Sequence, residues 1–126
     1  MIDHVSIGAR SLAAAKRFYD RAFLPLGFKA LSESPGSLGY GDDDAIQFWV
    51  SETSSPVAAD PKSGLHFCFR APTRRSVDEF HAAGLAAGGR DNGKPGLRPD
   101  FGPDYYAAFI VDPDGYRLEA YCAQKS

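Results

Sequence analysis

Two of the three histidines in this chain stand in matching surroundings. His4 is centred in Ile2-Asp3-His4-Val5-Ser6-Ile7-Gly8, and His66, 62 residues later, is centred in Gly64-Leu65-His66-Phe67-Cys68-Phe69-Arg70. Both runs have the two-residue period of a strand, so His4 shares a face with Ser6, and His66 with Cys68. Two further strand-like runs carry Gln47 (Ala45 to Val50) and Glu119 (Tyr116 to Cys122), and aligning them by pattern sets Gln47 on Glu119. If the first and last strands of each half pair in one sheet, parity puts His4, Gln47, His66 and Glu119 on the face away from the helices. Ser6, Trp49, Cys68, Arg117 and Tyr121 share that face, while Val5, Ile7, Ile46, Phe48, Phe67, Phe69, Leu118 and Ala120 pack under the helices. Imidazole nitrogen with carboxylate oxygen is the ligand set of a divalent first-row metal such as Zn, Fe, Mn, Ni or Co. Two histidines and one carboxylate would leave positions free for substrate.

The elements that must hold these residues come in two copies. Ser11 caps a helix in which Leu12, Ala15, Phe18, Tyr19, Ala22 and Phe23 recur at helical spacing, and Pro25 and Gly27 end it. Strands follow at Phe28 to Ser34, Ser37 to Tyr40 and Ala45 to Val50, separated by turns at Ser34 to Gly36 and at residues 41–44. In the second half Thr73 caps a helix with Val77, Phe80, His81, Gly84 and Leu85 in register, closed by Gly88-Gly89. A Gly- and Pro-rich segment, Asp91 to Asp104, has no counterpart of that length in the first half. Strands at Tyr105 to Val111 and Tyr116 to Cys122 flank the turn Asp112-Pro113-Asp114-Gly115, whose Pro and Gly suit a hairpin. The order is strand, helix, three strands, twice. The expected fold is α+β: two βαβββ modules forming a curved, mostly antiparallel eight-stranded sheet, an incomplete barrel around a cleft. One domain spans 1–126, with modules at about 1–51 and 64–124 and a linker at about 52–63.

Composition narrows the field. The chain has 126 residues, 44% hydrophobic and 24% charged, with net charge −2 and no long run of Lys or Arg, so nucleic acid and anionic membranes are not expected partners. Its apolar runs are far short of a bilayer span, the N-terminus enters a strand pattern directly, and the two cysteines make no disulfide framework, so a cytoplasmic setting is expected. His81, alone on a helix, is expected to be structural. Cys68 is expected to line the cavity rather than react. No Ser-His-Asp pattern, phosphate loop or dinucleotide fingerprint is present.

The stretches IDHVSIGARSLAAAKRFYDRAFLPLGF, GLHFCF and FIVDPDGYRLEAY resemble the glyoxalase/bleomycin-resistance/extradiol-dioxygenase (vicinal oxygen chelate) superfamily, over essentially the whole chain. The segment from Gly88 to Phe109 is similar to a subgroup of small bacterial glyoxalase-like proteins, from which this chain departs at Asp100 and Gly102, where a histidine is often found nearby. The resemblance implies a metal bound by His4, His66 and Glu119, with Gln47 as fourth ligand, and a homodimer acting on a small molecule. The implied activity is that of a lactoylglutathione lyase-like lyase or isomerase, in which the metal stabilises an enediolate or oxyanion and Glu119 shuttles the proton. Trp49, Phe101 and Tyr121 are candidate pocket walls, and Arg98 or Arg117 would hold an anionic group. The alternatives are an Fe(II) extradiol-type dioxygenase and a non-catalytic drug-binding protein of the bleomycin-resistance type.

Overall fold

Alternating apolar residues followed by a hydroxyl cap open each half of the chain, and both signals act where expected. In the computed structural model, which describes residues 1–43, 45–57 and 60–125, β1 (Val5–Ala9) leads into α1 (Leu12–Phe23). The Ser11 hydroxyl accepts from the Ala14 N–H at 3.1 Å, and Gly27, at φ 85°, turns the chain out of the short 3-10 turn Leu24–Leu26. β2 (Lys29–Ser34), β3 (Ser37–Gly41) and β4 (Ile46–Glu52) complete the first half. The second half repeats this with β5 (Phe67–Arg70), α2 (Arg74–Ala86), β6 (Arg90–Leu97), β7 (Tyr106–Val111) and β8 (Arg117–Cys122). Thr73 and Ser76 form a reciprocal capping box at the start of α2. The turn expected at 41–44 and the linker at about 52–63 lie partly outside the described residues, at positions 44, 58 and 59.

Among the described residues, eight strands and two α-helices make an α+β fold, and the strands divide into two four-stranded mixed sheets that do not close into a barrel. Their orders are β1-β4-β3-β2 and β5-β8-β7-β6. The first and last strands of each half do pair, in parallel, and the remaining ladders are antiparallel. β6 lies almost wholly inside the Gly- and Pro-rich segment, where sequence alone sets no bounds for the third strand of this half. Its ladder with β7 is interrupted around Gly93, whose φ of 152° favours glycine.

The core lies between the helices and the sheets. Phe18, Tyr19, Ala22 and Phe23 of α1 and Val77 and Phe80 of α2 are buried with Tyr40, Phe48, Val50, Ile110, Leu118 and Ala120. α1 and α2 approach each other at Gly84, where an added Cβ would stand 2.5 Å from Ile110 Cδ1 and 3.5 Å from Phe18 Cε1. The turn after β7 does more than reverse the chain. The buried Asp112 carboxylate accepts from the backbone N–H groups of Asp114 and Tyr116, both at 2.9 Å, and from the Tyr19 hydroxyl of α1. Tyr116 donates from its hydroxyl to the Gly8 carbonyl at 2.9 Å. The two halves are thereby tied through polar groups as well as through the core.

Candidate functional site

Parallel pairing of β5 with β8 puts Cys68 directly opposite Glu119. His66 stands one residue before β5, on the same face one pleat away, and its Nε2 lies 3.1 Å from Glu119 Oε1. Glu119 is only 3% exposed, whereas about half of the His66 side chain reaches solvent. A buried carboxylate needs donors. The second comes from Tyr105, whose hydroxyl donates to Glu119 Oε2 at 2.6 Å. Burial and that bond hold the Tyr105 phenol well above its ordinary pKa. Burial, and then the Glu119 charge, push the Cys68 thiol up to about 12, so it stays protonated at neutral pH.

The first half presents its candidates differently. His4 also precedes its strand by one residue, and its Nδ1 bonds the Asp3 carboxylate at 2.8 Å, leaving Nε2 free of protein partners among the described residues. Gln47 is exposed and sits in a bulge: Gly41 pairs with Ile46 and Tyr40 with Phe48, so Gln47 is the extra residue. The bulge overturns two expectations. Ile46 lies with Trp49 against Gly39, since a Cβ at Gly39 would stand 2.9 Å from both side chains, and so does not belong to the helix-facing set. By ladder register the counterpart of Glu119 is Trp49, which faces Ser6 as Glu119 faces Cys68, rather than Gln47.

His4, Gln47, His66 and Cys68 nevertheless line one open cleft of about 370 Å³ between the two halves, with Val5, Phe28, Phe48, Phe67 and Phe69 among its walls. His66 also borders a second cleft of about 300 Å³ on the sheet of its own half, with Asn92, Phe109 and Arg117. The expected pocket walls are spread out. Tyr121 stacks on Tyr105 at 4.0 Å between centroids, and the exposed Phe101 meets the Tyr105 ring edge-on at 5.3 Å. Trp49 is half-buried on β4 and absent from the His4 cleft. Arg117 gives two hydrogen bonds to the Pro61 carbonyl, at 2.7 and 2.8 Å, and Arg98 lies over the Phe109 ring while bonding the Lys94 carbonyl. His81, as expected, is structural: buried on α2, it bonds Asp91 of β6 at 2.9 Å. Tyr105 is the residue that sequence reasoning missed. By sequence it is an ordinary strand residue, and nothing in its spacing points at Glu119.

A family model described as the glyoxalase/bleomycin resistance protein/dioxygenase superfamily matches residues 1–120. The chain belongs to this superfamily. Among solved structures, a glyoxalase/bleomycin resistance protein from Albidiferax ferrireducens T118 is 30% identical, with TM-score 0.79 over 94% of this chain and 95% of that one. A glyoxalase-related enzyme from Fulvimarina pelagi shares the fold at 19% identity and TM-score 0.75, covering 97% of this chain and 87% of its own. A glyoxalase/bleomycin resistance protein/dioxygenase family enzyme from Burkholderia phytofirmans PsJN does so at 19% identity and TM-score 0.71, covering 98% of each. No curated protein matches the chain.

For a superfamily chain the question is whether these donors suit a divalent cation. The 3.1 Å between His66 Nε2 and Glu119 Oε1 is the separation of neighbouring ligands each about 2.1 Å from a shared ion, so this pair fits. Among the described residues no three His, Cys, Asp or Glu side chains cluster closely enough to share one. The pair in the second half is assembled, whereas His4 and Gln47 face the same cleft from the first half without joining it.

Proposed function

We propose that the protein is a metal-dependent, glyoxalase-like lyase or isomerase acting on a small vicinally oxygenated molecule. The observation that carries this reading is the His66–Glu119 pair, a half-exposed imidazole against a buried carboxylate at ligand spacing, at the edge of a cleft that also receives His4 and Gln47. His66 Nε2 and Glu119 Oε1 would hold the ion, with His4 and Gln47 supplying the remaining protein donors. The ion would supply Lewis-acid stabilisation of negative charge developing on adjacent substrate oxygens. Glu119 is the one carboxylate in this set, so it is the base that takes a proton from the substrate carbon and returns it to the neighbouring one. Gln47 cannot do so, because a carboxamide has no basic oxygen of comparable strength. The phenylalanine walls favour a substrate with an apolar portion.

Because one chain assembles only the second-half pair, a homodimer in which His4 and Gln47 of one copy complete the pair of the other belongs to the same proposal. So does a cytoplasmic setting, which suits the unpaired cysteines Cys68 and Cys122. No helix among the described residues is long and apolar enough to cross a membrane. The experiment is a screen of Zn-, Ni-, Mn- and Fe(II)-loaded protein with methylglyoxal and common thiols, alongside oxygen uptake with catechols. The expected result is metal-dependent turnover of a thiol adduct, lost in Glu119→Gln. Oxygen uptake with catechols would assign the site to a dioxygenase instead, and tight drug binding unaffected by EDTA would assign it to a binding protein.

A further inference from the structure

The two oxygens of Glu119 have different neighbours, and the difference traces to one residue at the end of the Gly- and Pro-rich segment. Oε1 lies beside His66 Nε2 at 3.1 Å, whereas Oε2 accepts the Tyr105 hydroxyl at 2.6 Å. A glutamate side chain has three rotatable bonds, so its carboxylate plane is set only when something outside the residue sets it. We propose that Tyr105 is a positioning residue, binding Glu119 Oε2 so that Oε1 alone is presented, with His66 Nε2, to a divalent cation. This rests on the reading of His66 and Glu119 as metal ligands.

Tyr105 is itself held on several sides. Its carbonyl accepts from the Arg98 N–H at 2.7 Å, and its own N–H donates to the Gly102 carbonyl at 3.3 Å, so the loop between them closes on itself. Its ring lies nearly parallel to Tyr121, at 23°, and edge-on to Phe101. The ring is fixed by stacking, and the hydroxyl, which also lies beside the Cys68 thiol, donates to the carboxylate. An outer hydrogen bond of this kind orders a ligand before the ion arrives, and with Oε2 occupied the carboxylate binds through one oxygen. In the first half, by contrast, no hydrogen bond holds the Gln47 carboxamide among the described residues. The insertion that distinguishes the second half thus delivers the group that orders its carboxylate.

The test is titration of the full-length protein with Co(II), read by calorimetry and by the visible absorption of the bound ion, in the parent and in Tyr105→Phe. Phenylalanine keeps the stack on Tyr121 and the contact with Phe101, so a packing role alone predicts no change. The expected result is Co(II) affinity weaker by about 10- to 100-fold and an altered absorption band. Adding Tyr105→Phe to Glu119→Gln should change Co(II) binding no further, since the hydroxyl acts through the carboxylate. Equal affinity and an identical spectrum in parent and Tyr105→Phe would overturn the positioning role while leaving the ligands in place. A full additional loss in the Glu119→Gln background would overturn it as well. A parent protein that binds no Co(II) would overturn the ligand reading first, and this inference with it.

Discussion

At the scale of single residues, the chain separates groups that its sequence makes look alike. His4, His66 and His81 are three histidines with three environments: paired with an exposed aspartate, set against a buried glutamate, and sealed between α2 and β6. The pairing with Asp91 has a pH signature. The His81 hydrogen bond, and then the Gly93 N–H, hold the Asp91 carboxyl below its ordinary value of 3.8. A carboxyl lowered on folding contributes stability above its unfolded pKa and loses it as pH falls through the folded one. Asp91→Asn should therefore melt below the parent at neutral pH, with the gap closing on acidification below about pH 4. A gap that stays constant down to pH 3 would mean that the pair contributes nothing through its charge. The histidine repeat made His4 and His66 legible in sequence, because a strand-borne histidine followed by a helix cap occurs twice at one spacing. Tyr105 was not legible. Its contact with Glu119 depends on how a loop folds back, and no periodicity records that.

At the scale of elements, hydroxyl caps and helical spacing located α1 and α2 correctly, since both signals are local. β6 escaped because Gly93, Pro95 and Gly96 argue against a strand, and only pairing with β7 makes one. The matching of Gln47 with Glu119 failed for a related reason. A bulge adds one residue to β4, and the ladder with β1 sets register where a hydrophobic pattern cannot. The approach of α1 to α2 gives a prediction at this scale. Gly84→Val would push a side chain into Ile110 and Phe18, and should cost about 1–3 kcal/mol in urea unfolding through overpacking. An unchanged midpoint would show that the helices can part there without loss.

At the scale of the whole molecule, the Asp112 carboxylate matters more than its place in a turn suggests. It accepts from two backbone N–H groups of the second half and from the Tyr19 hydroxyl of the first, inside the protein. Asp112→Ala would leave three donors without their acceptor, those of Tyr19 and Tyr116 buried, and should destabilise the fold by about 3 kcal/mol. Tyr19→Phe, which removes one donor and leaves the others satisfied, should cost less. If the two variants melt together, the backbone bonds of Asp112 carry no weight. The assembly is tested by mixing subunits. His4→Ala and His66→Ala proteins, each defective in metal binding, should regain about a quarter of the parental sites when unfolded and refolded together in equal amounts, because half of the dimers are then mixed and one of the two sites in each holds both native histidines. No recovery would place all donors within one chain.

The central claim is that His66 and Glu119 hold a divalent cation. Its most direct test is calorimetric titration of chelator-stripped protein with Zn(II) and Ni(II), comparing the parent with His66→Ala. The parent should bind one ion per chain with a single saturable transition, and His66→Ala should lose that transition while still unfolding in one cooperative step. A parent protein that takes up neither ion, or a His66→Ala variant that binds both as tightly as the parent, would contradict it.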